Sequence, residues 1–381
     1  MRDGTVQSGD NSATLLLAGG GHAHVAVLAD WIAHGPPPGA RTVLLTPERY
    51  LRYSGMVPGW LAGQHGLSDG VVDVAALAER AGVQWIAERC AALDPDARCV
   101  TTSSGAVIAF ALASLGTGGE GRAAALLGDD PRLIDVRPIG AFAERLALLR
   151  AARQGLGRGV VAGGGAGGVE LAFAIRNLAG ADPRPAATLV TGAAGLLPGF
   201  ATSTRARVLR AMRRQGIALA EADVRIAGGA IMAGGQSLEP ADLLIAALGS
   251  GAPGWVRASG LAVDERGFAL VDAQQRSTSH PHIFAAGDIA ARADRPMAHS
   301  GVHAVFAGPV LAANLRAILT GSTPTRAYHP RAHSLYLLNT GDGRAIASYG
   351  ALAAEGRWVL ALKHWIDKRW IAKYAALAKA E

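Results

Sequence analysis

The chain twice runs from an apolar stretch through a glycine-rich turn into a helix-forming stretch, and the two copies lie about one domain's length apart. The first reads Leu15 to His24 (LLLAGGGHAH) and continues into Val25-Ala26-Val27-Leu28. The second reads Gly159-Val160-Val161-Ala162 followed by Gly163-Gly164-Gly165-Ala166-Gly167-Gly168-Val169-Glu170. A strand that ends in such a turn and enters a helix lets backbone N–H groups approach a pyrophosphate. Gly163, Gly165 and Gly168 fit GxGxxG, whereas the first copy has Gly19 and Gly21 but His24 in third place. One such match is weak evidence. Two, each between a strand and a helix, predict an α/β protein with two Rossmann-like dinucleotide-binding domains.

With 381 residues the chain has room for two or three domains, and 50% hydrophobic content excludes a disordered one. A net charge of +7 suits anionic partners. Nucleic acid is not expected among them, because no basic patch is interleaved with aromatics. Cys90 and Cys99 form no disulfide framework, so a reducing, cytoplasmic location is expected. Met1 to Ser12 is polar and expected to be loose, and no apolar run is read as a membrane span. His22 and His24 lack the companions of a metal set, so no metal is expected.

The strand Thr42–Leu45 ends in Thr46, where a ribose-binding acid is usual, leaving Thr46 itself or Glu48 to reach the ribose. Tyr50 to Trp60 is too broken by glycine and proline for a helix interior and suits a flat ring lying on backbone. Val83–Ile86, Arg98–Ser103 and Ala106–Phe110 are expected to form an antiparallel meander. Leu112–Leu115 then exits through Gly116-Thr117-Gly118-Gly119, a pattern echoed where Ala241–Leu248 meets Gly249-Ser250-Gly251. Asp129–Ile139 reads as a linker and Gly140–Ala152 as a helix. Thr188–Val190 ends in Thr191, again without an acid, and no arginine is placed for a 2′-phosphate, so NADH and NADPH both remain open. His282 to Asp288 is a buried strand ending in Gly287-Asp288, whose carboxylate can accept bonds from sugar or ribitol hydroxyls. Met297 to Ala304 opens a helix running to about Leu319.

The expected organisation is a first domain of residues 13–118 and 255–327, a second of residues 119–254, and a small α+β C-terminal segment, 328–381. A terminal helix begins near Arg357. Trp358, Leu362, Trp365, Ile366 and Trp370 fall on one arc, opposite Lys363, His364, Asp367 and Lys368. Tryptophan mixed with Lys and Arg suits a membrane interface, and docking on the chain's own core or on a second subunit remains equally open.

These motifs together resemble the pyridine nucleotide-disulfide oxidoreductases, flavoproteins with two dinucleotide folds. The motif order is similar to that of type II NADH dehydrogenases and sulfide:quinone oxidoreductases. GGGHAHV, YLRYSGMVPGWLAG and LLNTGDGRA most resemble the flavoprotein module fused ahead of selenide, water dikinase. The resemblance covers about residues 13–375. It implies FAD at the first glycine turn, with Gly19, Gly20, Gly21 and His22 at the pyrophosphate and Thr46, Gly118 and Gly287 around it. Asp288 would meet ribitol or phosphate, and Ser54, Gly55, His299, Ser300 and His303 would lie near the isoalloxazine. Gly163, Gly165, Gly168 and Glu170 would serve NADH or NADPH. The family's CxxxxC is missing from residues 50–60, which excludes thiol–disulfide exchange. Hydride transfer needs no protein nucleophile. The expectation is therefore an FAD-dependent NAD(P)H dehydrogenase passing electrons to a quinone or another small acceptor, with His299 or His303 relaying a proton. It would be cytoplasmic, at the inner face of a membrane through its terminal helix, in an arrangement that admits a homodimer. The alternative is a flavoprotein reduced directly by a small sulfur or selenium compound, or a flavin-bound redox partner in selenium metabolism.

Overall fold

The computed structural model describes residues 13–151, 156–299 and 301–379. Two five-stranded parallel sheets dominate it. The first has the order Ile283–Ala285, Leu112–Leu115, Ala13–Ala18, Ala40–Leu45, Gln84–Ile86. The second has the order Leu133–Asp135, Leu243–Ala246, Arg158–Ala162, Ala186–Val190, Ala218–Ala220. Strands covered on both faces read as unbroken apolar runs, and Leu15, Leu16, Leu17, Val160 and Val161 are fully buried. In each sheet the strand before a glycine turn is central, so both turns open at the carboxyl edge of a parallel sheet, where such folds hold ligands.

Several expectations are corrected. Gln84–Ile86 is not part of the meander but the parallel edge strand beside Ala40–Leu45; the meander starts at Cys90–Asp94 and continues through Cys99–Thr102 and Val107–Ala109. The supposed linker contains the edge strand Leu133–Asp135 of the second sheet. Within Tyr50–Trp60, a helical turn does form at Val57–Leu61, because Pro58 falls in its first turn, where a missing N–H costs nothing. Gly301–Leu319 is long and apolar enough to cross a membrane, contrary to the sequence expectation. It packs along His22–His34, with Gly308 so close to Ala23 and Ala26 that a Cβ would fall 2.7 Å from that of Ala26. Its Asn314 is fully buried and donates to the carbonyls of Gln274 and Arg326, as a core helix allows.

His24 takes the place of the third glycine because the neighbouring strand makes room for it. Gly116 lies under the ring, where a Cβ would come within 2.7 Å of Cε1. The Gly19 carbonyl can only accept, so Nδ1–H donates to it, and Nε2 accepts from the Ser114 hydroxyl at 2.9 Å. The ring is neutral, its pKa pushed by burial from 6.5 down to about 4. The unfolded chain therefore binds more protons in this window, and the stability His24 contributes is full above about pH 6.5 and lost as pH falls toward 4. We expect the urea midpoint of the wild type to fall between about pH 7 and pH 5. His24→Gln should lower it at pH 7 by ~2 kcal/mol equivalent, having left the Gly19 carbonyl poorly paired, and should flatten the pH dependence.

Candidate functional site

The two glycine turns are built alike. Gly19 has φ +101°, and a Cβ there would lie 2.5 Å from the Thr117 backbone. Gly163 has φ +127°, and its Cβ would lie 2.1 Å from the Ala247 carbonyl oxygen. Each turn thus lies flat against the chain leaving the adjacent strand, which only glycine permits. Gly21 would meet the Gly116 carbonyl and Gly168 the Gly163 carbonyl, so side chains are excluded there too. Gly165 caps the helix Ala166–Arg176 with open space above it, as Gly21 caps His22–His34. Thr46 and Thr191, both buried, occupy matching places over Gly20 and Gly164. Glu48, exposed, lies 3.5 Å from Arg89 at the surface. Gly118 and Gly287 turn the chain with φ of +76° and +80°.

Around the first turn, buried polar atoms lack partners: His22 Nε2, Asp288 Oδ1 and His299 Nδ1. His22, His299 and His303 all feel the Asp288 carboxylate, which places one acid among three imidazoles. Burial lowers the pKa of each imidazole, that of His22 to about 4, against the opposing pull of Asp288. Unpaired polar atoms beside a glycine cradle are what a polar ligand would satisfy, and FAD fits both the shape and the donor set. The other oxygen of Asp288 is held by Arg137 at 2.6 Å. Arg137 follows the edge strand of the second sheet, so this ion pair ties one sheet's neighbourhood to the other's. Sequence reasoning missed it, having placed Arg137 in a featureless linker. His299 stacks on Phe268 at 3.9 Å, and His303 shares a 2.8 Å hydrogen bond with the Tyr328 hydroxyl. Ser300 lies outside the described residues.

Ser54 and Gly55 form a single turn ahead of Val57–Leu61. Gly55 faces the Tyr53 ring and, 3.7 Å from where its Cβ would be, Lys363 Nζ. The terminal helix Arg357–Ala378 supplies this amine, which corrects the sequence reading of its faces. Its buried stripe is Val359, Leu360, Lys363, Asp367, Ile371 and Tyr374, whereas Trp358 and Trp365 are 60% and 58% exposed. Lys363 Nζ lies 3.2 Å from Asp367 and 3.8 Å from Glu170, which stands between them and the backbone N–H of Asn339. Burial works against the charge on Lys363, but the two carboxylates outweigh it and its pKa is raised. Burial likewise raises that of Glu170. Glu170 therefore faces the domain junction and this amine. Trp370 stacks on Tyr53 at 5.1 Å and lies 5.0 Å from His22, so the terminal helix also walls the first glycine site. A lysine and an aspartate four apart on a helix resemble a solvent-facing pair, which is why the sequence did not reveal them.

Among the described residues no His, Cys, Asp and Glu cluster could hold a metal. Cys90 and Cys99 are free and lie on neighbouring meander strands, away from Gly55 in sequence and in sheet.

The profile of the pyridine nucleotide-disulphide oxidoreductases matches residues 14–308. Among solved structures, the sulfide:quinone oxidoreductase of Aquifex aeolicus superposes with a TM-score of 0.75 at 17% identity, over 96% of this chain and 92% of that one. The water-forming NADH oxidase of Lactobacillus brevis gives 0.70 at 22% identity, over 89% and 75%. The NAD-dependent persulfide reductase of A. fulgidus gives 0.70 at 19% identity, over 92% and 65%. The dihydrolipoyl dehydrogenase of Vibrio cholerae is 61% identical over 46 residues, 12% of this chain and 9% of that protein's length.

If Asp288 and Arg137 hold the flavin's sugar side as a unit, Asp288→Ala should release FAD. Arg137→Ala should raise its Kd about tenfold and Arg137→Lys should restore part of it, both read by ultrafiltration of the yellow protein. Full flavin retention in Asp288→Ala would count against the assignment.

Proposed function

Because the chain belongs to the pyridine nucleotide-disulphide oxidoreductase family, with FAD and NAD(P)H as its cofactors, we propose that it is an NAD(P)H dehydrogenase whose final acceptor is a quinone. The observation that carries this reading is the pair of matched glycine cradles serving a Gly55 turn with no thiol near it in sequence. Thiol exchange needs a cysteine pair at that turn, and the chain's two cysteines are strand residues of the meander. FAD, when bound, supplies the hydride and electron chemistry. The protein's part is to hold two dinucleotides. The first cradle, Asp288 and Arg137 fix the flavin's phosphates and sugar. The second cradle, with the amino end of Ala166–Arg176, fixes the nicotinamide dinucleotide. Lys363, held by Asp367 and Glu170, would offer an N–H donor beside Gly55 to the flavin ring.

Gly163→Ala adds a Cβ into the Ala247 carbonyl at a φ that side chains rarely adopt. We expect it to keep FAD at full occupancy and to slow anaerobic bleaching of the flavin by NADH or NADPH by about a hundredfold or more, seen by stopped flow. A wild-type flavin that neither nucleotide bleaches would instead favour direct reduction by a small sulfur or selenium compound.

The outward face of the terminal helix supports a membrane-surface location on the cytoplasmic side. Trp358 and Trp365 are exposed there with Arg357, Lys368, Arg369 and Lys373, and the helix's one carboxylate, Asp367, is buried. Arg369 lies over the Trp365 ring at 5.4 Å. Tryptophans between cations suit anionic headgroups, each cation adding about 1 kcal/mol near the surface. The protein should co-sediment with vesicles of phosphatidylcholine and phosphatidylglycerol but not with phosphatidylcholine alone. The Trp358→Ala, Trp365→Ala double variant should lose most of this binding while keeping its flavin.

A further inference from the structure

A cavity of about 460 Å³ opens at the ends of a small parallel ribbon, Ala269–Val271 beside Ala290–Arg292, outside both glycine cradles. Asp264 and Arg266 enter it from the turn before the first strand, Arg292 from the end of the second, and Asp294, Arg295 and His299 from the segment that follows. Its volume falls in the range of about 300–1,000 Å³ usual for small-molecule sites. Of the residues placed around the flavin, only His299 lines it. Arg266 and His299 both rest on the buried ring of Phe268, at 5.0 and 3.9 Å, so one aromatic ring positions two of its walls.

Three guanidiniums line this space against two carboxylates, and both carboxylates are already engaged. Asp264 Oδ1 accepts from the Phe268 backbone N–H at 2.8 Å. Asp294, 44% exposed, accepts from Arg292 at 2.9 Å and from Arg295 at 3.0 Å. Arg266 makes no ion pair among the described residues and donates only to the Ser250 carbonyl, at 3.4 Å. Arg292 forms the floor, its side chain 1% exposed. Its Nη1 donates to the Tyr328 carbonyl at 2.7 Å, and its buried Nε–H has no partner. A guanidinium withdrawn this far from water is costly unless anions surround it, yet its one carboxylate stands at the rim. The cavity thus keeps a net positive charge and unspent N–H donors.

We propose that this cavity is a third anion site, separate from the two dinucleotide cradles, and that it binds the oxyanion of a small phosphorylated or dicarboxylic compound. Arg266 and Arg295 are exposed at its rim on separate segments, and each planar fork can give two parallel N–H bonds to a phosphate or a carboxylate. Arg292 supplies positive charge from below. A bare inorganic ion would leave most of the volume empty, so the oxyanion is one end of a larger molecule. His299 touches this cavity and also feels the Asp288 carboxylate, which puts the bound anion one imidazole away from the acid expected to hold the flavin.

The test uses the FAD-loaded protein in chloride buffer of fixed ionic strength, titrated calorimetrically with inorganic phosphate and, separately, with malonate. At least one should bind at a single site with a Kd below about 1 mM. Saturation by phosphate alone identifies a phosphorylated ligand, by malonate alone a dicarboxylic one, and by both an oxyanion of either kind. Arg266→Gln and Arg295→Gln alter exposed residues, so fold and flavin should be retained, and each should raise the Kd about tenfold. Arg210→Gln, which removes the same charge from an exposed position on Thr202–Gln215, should leave it within about twofold. If neither anion binds the FAD-loaded wild type, if Arg266→Gln and Arg295→Gln bind as the wild type does, or if all three variants weaken binding equally, the site is overturned. It is overturned too if binding is lost in Gly163→Ala or is seen only in the FAD-free protein, because the anion then occupies a dinucleotide cradle.

Discussion

Everything in this molecule depends on how closely a glycine turn can lie against the chain leaving the next strand. Thr117 and Ala247 sit where a side chain on Gly19 or Gly163 would have to be, at 2.5 and 2.1 Å. With the turn pressed flat, the amino end of the following helix is aimed outward from the sheet's carboxyl edge, and a ligand's phosphates can approach backbone. The strands below supply the rigidity. Leu15, Leu16 and Leu17, like Val160 and Val161, are completely withdrawn from water, and each fully buried aliphatic side chain contributes about 1.5–3 kcal/mol. The apolar run, the turn and the helix start are one device used twice.

The first copy meets the same constraint with different residues. In the second, the helix comes close because Gly168 has no side chain, its Cβ position lying 1.9 Å from the Gly163 carbonyl oxygen. In the first, His24 occupies the equivalent place, and the compensation is on the strand side, in Gly116 and Ser114. In one copy the glycine that makes room is on the helix, and in the other it is on the neighbouring strand. A motif read along the chain sees only the loss of a glycine. The residues that repay it are far away in sequence, so the exception was visible and its reason was not.

The same limit separates what the sequence disclosed from what it concealed. Both glycine turns and the central strands before them were legible, since Leu15–Leu17 and Val160–Ala162 are unbroken apolar runs, whereas the short edge strands Gln84–Ile86 and Leu133–Asp135 carry no such run and were assigned elsewhere. Gly287-Asp288 stood out because a buried strand ending in an acid is unusual. Arg137 was illegible: only folding brings it to Asp288. The terminal helix was misread for a more specific reason. Periodicity assigns the apolar arc to the inside, but this helix has two partners, a protein surface on one side and an unoccupied face on the other. Trp358 and Trp365 took the open face, and Lys363 with Asp367 the closed one, beside the inward Trp370. Amphipathicity reports contrast around a helix, not which side is covered.

A buried lysine is costly unless carboxylates surround it, and removing one partner of such a group leaves a penalty of about 3–5 kcal/mol. Lys363 therefore fixes more than its own position. Asp367 lies one turn along the same helix, Glu170 belongs to the second glycine domain, and Gly55 belongs to the first. The ion group holds all three in register, and sliding the terminal helix by one turn would strand an amine against apolar surface. The segment around Gly55 has no cysteine, and the charged group facing Gly55 comes from the far end of the chain. The terminal helix thus walls the first glycine site with Lys363 and Trp370 while Trp358 and Trp365 stand on its exposed face, so the two faces are joined through one helix.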